Sequence, residues 1–264
     1  MVPEEVPDDH ASRPVPSQRT RPARAHKAAM TVAMQIVEEI SSQDHPAGTK
    51  LPAEKEMLEQ YGVGRGTLRE SLRFLEMNGV IIMKPGPGGG PIVGQPDARD
   101  LAGTLALFLQ LQRTPFGSIV EVRQQIEPVI AGMAAKNAKP EALEHIRESV
   151  ALMRDNLDDE RLFLKANEQF HDLVAWASGN TVFALLLSSL HWITDGSPLG
   201  VDYPRDRRVA VLAAHERIYT AMADQDVESA RSAMERHINE FERYLSRYYS
   251  SASSSLLRWS DIAL

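Results

Sequence analysis

Three histidines and one asparagine in the second half of the chain have the residue types and spacing of a metal site. Asn167 and His171 are four positions apart, so one helical face would carry both, together with Phe170 and Val174. His215 lies between Leu212 and Ile218, and His237 beside Met234, Ile238 and Phe241, so apolar periodicity directs both imidazoles inward. A lone buried imidazole is ordinarily a hydrogen-bonded core residue. The joint placement argues for more: His215 precedes the Asp224, Gln225, Asp226 turn by about as much as His237 follows it. Antiparallel helices would bring the two level, roughly 15 Å from the turn at a rise of ~1.5 Å per residue. With His171 from a third helix, such a cluster suits zinc or another first-row divalent ion, with open positions for ligand or water. The chain has no cysteine, so any metal site must use imidazole, carboxylate or amide.

Arg123, in EVRQQIEP, can pair with Glu127 one turn later or offer its guanidinium fork to the carboxylate of a small organic or sugar acid. Trp192, Asn180 and Ser188 are weaker pocket candidates, of types more often found as core or cap residues. A metal-dependent hydrolase or lyase acting on a small organic acid would need Asp172 or Glu216 as general base. Each adjoins a candidate ligand, and neighbouring helix positions point about 100° apart, which aims neither at a metal-bound water.

A different chemistry is written nearer the start. Arg65, Arg69 and Arg73 recur every fourth residue on the side away from Leu68, Leu72 and Leu75, with Thr67 beside the first turn. Such a helix can anchor one face in a core and offer donors to phosphates and base edges. Lys55, on the preceding helix, is placed to reach a backbone phosphate. Three arginines on a solvated face occur by chance, but here a short helix and a glycine turn precede them and a glycine-rich hairpin follows.

The elements that must position these residues follow from periodicity. Val32, Ile36 and Ile40 mark a first helix from about residue 27, ended by Pro46 and Gly48. LPAEKEMLEQYG and RGTLRESLRFLEMNG give two more, stopped by Gly62 and by Asn78 and Gly79. Residues 80–83 and 91–93, joined by KPGPGGG, read as a hairpin. Three helices and a hairpin make a winged helix-turn-helix. Further helices are expected near residues 98–112, 116–137, 140–156, 159–178, 180–194, 206–223 and 226–248, an all-α antiparallel bundle. The fold class is therefore mainly α, with an N-terminal winged helix-turn-helix and a C-terminal helical bundle. Residues 1–26 read as a disordered basic arm, 27–95 as the DNA-binding domain, 96–248 as the helical domain and 249–264 as a poorly ordered tail in which Leu256, Leu257 and Trp259 could dock.

Of 264 residues, 29 are basic and 36 acidic, a net charge of −7 that seems to speak against nucleic acid. Residues 1–96 hold 11 basic against 12 acidic side chains, and 97–264 hold 18 against 24, so the acidity belongs to the helical half. Within the first part, Arg13, Arg19, Arg21, Arg24 and Lys27 run without an acid. No apolar stretch approaches the roughly 20 residues of a membrane helix, and MVPEEVPDDH lacks the pattern of a signal peptide. A cytoplasmic location is expected.

LPAEKEMLEQYGVGRGTLRESLRFLEMNGVI resembles the signature of the GntR family of bacterial winged-helix regulators. The resemblance covers residues 30–94 and implies that Lys55, Arg65, Thr67 and Arg69 contact operator DNA, with Gly86 at the wing tip approaching the minor groove. Gly64 stands where the family usually has Ser, removing a side-chain cap, and Gly66 adds backbone entropy near the helix start. EVRQQIEPVIAGMAA, NEQFHDLVAWASGN and HERIYTAMADQDVESARSAMERHI are similar to segments of the FCD-type ligand-binding domain of the FadR-like branch. That likeness, over about residues 100–248, implies metal ligands at Asn167, His171, His215 and His237. The first is usually Asp, and an amide oxygen is a weaker, neutral ligand. Together the likenesses imply a homodimeric repressor that binds a palindromic operator, controlled by a small acid bound at Arg123 beside a divalent metal, zinc.

Overall fold

The computed structural model describes residues 21–86, 88–194 and 201–261. Two compact units result, residues 1–95 and 96–264.

The first unit runs α1 (Arg21–Ser42), α2 (Glu54–Tyr61), α3 (Arg65–Met77), β1 (Ile81–Lys84) and β2 (Gly90–Val93). The first helix starts at Arg21, so the arm expected over residues 1–26 is shorter by its last six positions; residues 1–20 lie outside the described ones. Burial follows the periodicity: Val32 and Ile36 of α1, Met57 of α2 and Leu68, Leu72 and Leu75 of α3 meet Ile81 and Val93 of the hairpin. Each such side chain contributes roughly 1.5–3 kcal/mol when removed from water. The Ala53 N–H donates to Glu56 Oε2 at 2.8 Å at the start of α2, and Gly62 ends that helix at a φ of 62°. In α3 the cap is Gly64, with no side-chain hydrogen bond, so the helix relies on its buried stripe. The Ser71 hydroxyl donates to the Ala29 carbonyl at 2.8 Å and locks α3 to α1. In the antiparallel hairpin Ile81 opposes Val93 and Lys84 opposes Gly90.

The second unit is helical: α4 (Ala98–Leu111), α5 (Phe116–Asn137), α6 (Pro140–Asp155), α7 (Glu160–Ala177), α8 (Thr181–Thr194), α9 (Arg205–Ala223), α10 (Val227–Tyr248) and the short α11 (Ser250–Ser254). Asp97, Asp159 and Asp226 cap α4, α7 and α10 by accepting backbone N–H groups. The α9–α10 turn is closed by Gln225 at a φ of 56°. Helix α10 packs against α5 and α9, and α7 against α5, α6 and α8. A core built on Ile130, Met153, Phe163, Phe170, Ile218 and Ile238 fills the bundle.

The described residues after α11 take the docked course left open for Leu256 and Leu257. Beyond α11 the segment docks: Leu257 is buried, the Phe116 N–H donates to the Ser255 carbonyl at 3.0 Å, and the Leu257 N–H donates to the Thr114 carbonyl at 3.1 Å. A β-bridge joins Pro115 and Leu256. Gly117 permits this approach, because a Cβ there would stand 2.7 Å from Ser253 Oγ.

Candidate functional site

Helices α7, α9 and α10 contribute one imidazole each to a common point. His171, His215 and His237 are buried, and their Nε2 atoms converge: His215 to His237 at 3.1 Å and His237 to His171 at 3.3 Å. Tetrahedral zinc with Zn–N bonds of ~2.0–2.1 Å would separate its nitrogen ligands by about 3.3 Å. Outer partners orient the rings. His171 Nδ1 lies 2.7 Å from Glu127 Oε2 and His215 Nδ1 lies 3.2 Å from Met153 Sδ, contacts in which Nδ1–H is the donor. That tautomer turns the Nε2 lone pairs of both rings to the centre. With the rings neutral, His237 could then offer one Nε2–H between two acceptors; a cation satisfies all three lone pairs. The donor set therefore fits a divalent metal. Phe170 stacks on His215 with centroids 3.9 Å apart and closes the site from the bundle side.

Electrostatics favour neutral imidazoles. Burial, reinforced by the neighbouring rings, holds His215 and His237 well below the ordinary histidine range. His171 is lowered by burial, against the pull of Glu127. Burial alone would raise the Glu127 carboxyl, but Arg123 and the flanking imidazoles outweigh it and hold it well below the usual carboxylate range.

Beside the imidazoles opens a cavity of about 430 Å³, whose lining includes Arg123, Asn167, His171, His237 and Phe241. Arg123 takes the first of the two roles open to it, the pairing with Glu127. Its Nε donates to Glu127 Oε1 at 2.6 Å, and its guanidinium sits 5.5 Å from the Phe241 ring centroid at the cavity wall. Asn167 is half-buried in the same wall, one turn before His171. The weaker candidates serve structure instead: Asn180 Oδ1 accepts from the Val182 N–H at the start of α8, Ser188 donates to Asp172, and Trp192 stacks under Arg99. Asp172 also accepts from His191 at 3.2 Å, and Glu216 accepts from Arg154 at 2.8 Å, so neither acid is turned to the imidazole centre.

Two groups that the spacing argument did not single out belong here. Glu127 joins Arg123 to His171, and His191 on α8 lies 3.7 Å from Glu127 Oε1. Burial and the nearby Arg123 charge oppose protonation of His191, but its hydrogen bond with Asp172 and the neighbouring Glu127 carboxylate outweigh them and raise its pKa. The i, i+4 relation to Arg123 did flag Glu127; nothing periodic marks His191.

In the first unit, Arg65, Arg69 and Arg73 are exposed along α3 and Thr67 is half-buried beside them. Arg69 reaches Glu54 at 3.4 Å across the helix-turn-helix, and Lys55 is exposed on α2. Gly86, at a φ of 92°, lies in the exposed connection between the strands. Lys50 steadies that connection by donating to the Gly88 carbonyl at 2.8 Å. Gly89 shapes it, and Gly94 shapes the chain just beyond β2: a Cβ at either would fall 2.2 Å from a backbone oxygen, of Lys84 or of Gly79 respectively.

Comparison with known proteins agrees with this division. Residues 28–89 match the model of bacterial regulatory proteins of the gntR family, and residues 118–240 match the FCD domain. The chain is 27% identical over 228 residues to the HTH-type transcriptional repressor NanR of Enterobacter sp. (strain 638), covering 84% of this chain and 87% of that protein. It is 26% identical over the same length to NanR of Citrobacter rodentium, with the same coverage. Among solved structures, a GntR protein of Streptococcus agalactiae superposes with a TM-score of 0.64 at 24% identity, over 81% of this chain and 99% of that one, a likeness of fold. The relatives are named as transcriptional regulators. With a winged helix-turn-helix followed by an FCD domain, the chain belongs to the GntR family of DNA-binding transcriptional regulators, in its FadR-like group.

Proposed function

We propose that this regulator is a homodimeric repressor whose hold on a palindromic operator is controlled by a small organic or sugar acid bound beside a divalent metal. The observation that carries the reading is the convergence of three buried Nε2 atoms at 3.1 and 3.3 Å on the wall of a cavity that Arg123 also lines. His171, His215 and His237 would hold the metal, zinc by their donor chemistry, and Asn167 would supply an amide oxygen in place of the carboxylate usual at that position. A metal bound there supplies a Lewis-acidic point for effector oxygens. Arg123, aligned by Glu127, offers its terminal nitrogens to the effector carboxylate. In the first unit, Arg65, Thr67 and Arg69 would meet the operator from α3, Lys55 a phosphate and Gly86 the minor groove. The relatives named repressors support the sign of control. Two copies are favoured by the outward apolar face of α4, where Phe108 and Leu111 are 60% and 69% exposed.

An acid changes operator binding only through its different affinity for two arrangements of the dimer. The test is a thermal-shift screen of organic and sugar acids, with and without chelator, followed by gel shift with operator DNA. At least one acid should raise the melting temperature and alter operator affinity in metal-loaded wild type. The His215→Ala/His237→Ala variant should lose metal by elemental analysis and lose that response while still binding DNA. Survival of the response in metal-stripped protein would make the metal incidental.

A further inference from the structure

Consecutive arginines at the start of α9 have different fates. Arg208 is buried and engaged: its Nε donates to the Leu157 carbonyl at 2.7 Å and Nη1 to the Tyr203 carbonyl at 2.6 Å, with Glu160 at 3.6 Å. Arg207 lines the effector cavity, and its buried Nε has no hydrogen-bond partner among the described residues. Leaving a buried guanidinium N–H unmatched costs about 1–3 kcal/mol or more unless something else supplies the acceptor. Its position is fixed all the same. The guanidinium carbon lies 4.7 Å from the centroid of Tyr244, and the Tyr244 hydroxyl is anchored by donating to the Asp202 carbonyl at 2.7 Å.

Helix α10 sets the order of these groups. His237, Phe241 and Tyr244 are at i, i+4 and i+7, one stripe of the helix. Phe241 carries Arg123 and Tyr244 carries Arg207. Along the axis the two arginine seats stand about 6 and 10.5 Å beyond His237. The cavity thus runs from the imidazole centre to one guanidinium and then to another. Carboxylates share the wall: Glu160, turned to the Tyr203 N–H at 2.9 Å, the exposed Asp202, and Glu168.

We propose that Arg207 is a second anion-binding residue, so that the effector carries two acidic groups, the far one a carboxylate or phosphate held by Arg207. The inference rests on the acid-effector reading above and narrows its ligand class to dianions long enough to span from the metal and Arg123 to Arg207.

The experiment is titration calorimetry of the zinc-loaded full chain with gluconate, glucarate and 6-phosphogluconate, which share one six-carbon acid and differ at the far end. Glutarate and 5-hydroxypentanoate repeat the comparison without sugar hydroxyls. In wild type, at least one dianion should bind about tenfold or more tightly than its monoanionic counterpart. Arg207→Gln should collapse that gap while leaving the monoanions unchanged; Arg207→Lys, which keeps charge but loses the fork, should restore part of it. Arg123→Gln should weaken all of them alike. Tighter phosphate than carboxylate binding in wild type would identify the far group as phosphate. Equal affinities across each series, or a gap that survives in both Arg207 variants, would overturn the role of Arg207 and leave the reading at Arg123 standing. If Arg123→Gln changes nothing and no acid binds, the effector reading fails and this inference with it.

Discussion

At the scale of single residues, the histidine cluster makes stability depend on pH in a definite direction. His215 and His237 have folded pKa values well below that of an exposed histidine, about 6.5. Below that pH the unfolded chain takes up protons that the metal-free fold refuses, so stability is full above it and falls as the solution is acidified. His171 is lowered as well, and His191 acts in the opposite sense, one histidine against three. Chelated protein should therefore melt at progressively lower temperature as pH drops from 7 to 5, and His215→Gln/His237→Gln should flatten that slope in calorimetric scans. A flat wild-type profile would show that the rings are not held neutral. In the DNA reader, Arg65→Ala or Arg69→Ala should weaken specific operator binding by about 1–3 kcal/mol. Unchanged gel-shift affinity would remove them from the interface. The meeting of His171, His215 and His237 was legible because helical periodicity and an antiparallel turn fix where they converge. His191 and Arg207 were not: His191 acts through acids 19 and 64 positions away, and the seat of Arg207 depends on how residues 201–203 fold over Tyr244.

Elements were more legible than side-chain roles. Breakers such as Pro115, Pro140, Gly179 and Asp226 act locally, and the seven bundle helices begin and end within one or two residues of where these place them. Partners distant in sequence were hidden. Leu257 was one of three tail residues that could dock, but nothing marked its backbone partner, Thr114, more than 140 positions earlier. The wing shows how a short element can be set by one position. At Gly94 the Cβ of Ala would collide with the Gly79 oxygen at 2.2 Å, and backbone atoms cannot swing aside as a side chain would. Gly94→Ala should thus spoil the return of β2 past Gly79, lower the melting temperature by several degrees and weaken DNA binding, with the effector domain's acid binding intact. Wild-type stability and operator affinity in this variant would show that the wing tolerates the shift.

For the whole molecule, the charge of −7 averages a nearly neutral DNA reader with an acidic effector half. Such a reader has little long-range field, so its affinity must come from a few placed cations and, in the proposed dimer, from doubling them. That makes assembly the sensitive point. Phe108→Glu/Leu111→Glu should shift the protein from dimer to monomer in sedimentation velocity and reduce operator affinity, while zinc content stays the same. A persistent dimer would move the interface off α4.

The docked segment after α11 also orders the molecule in time. Every contact of the first unit is available once 95 residues have been synthesised, and domains generally fold as units, the N-terminal one first. The second unit opens with α4 and α5, yet the junction between them is sealed by residues as late as Ser255, Leu256 and Leu257. A nascent chain can therefore present a finished DNA reader well before its effector half can close.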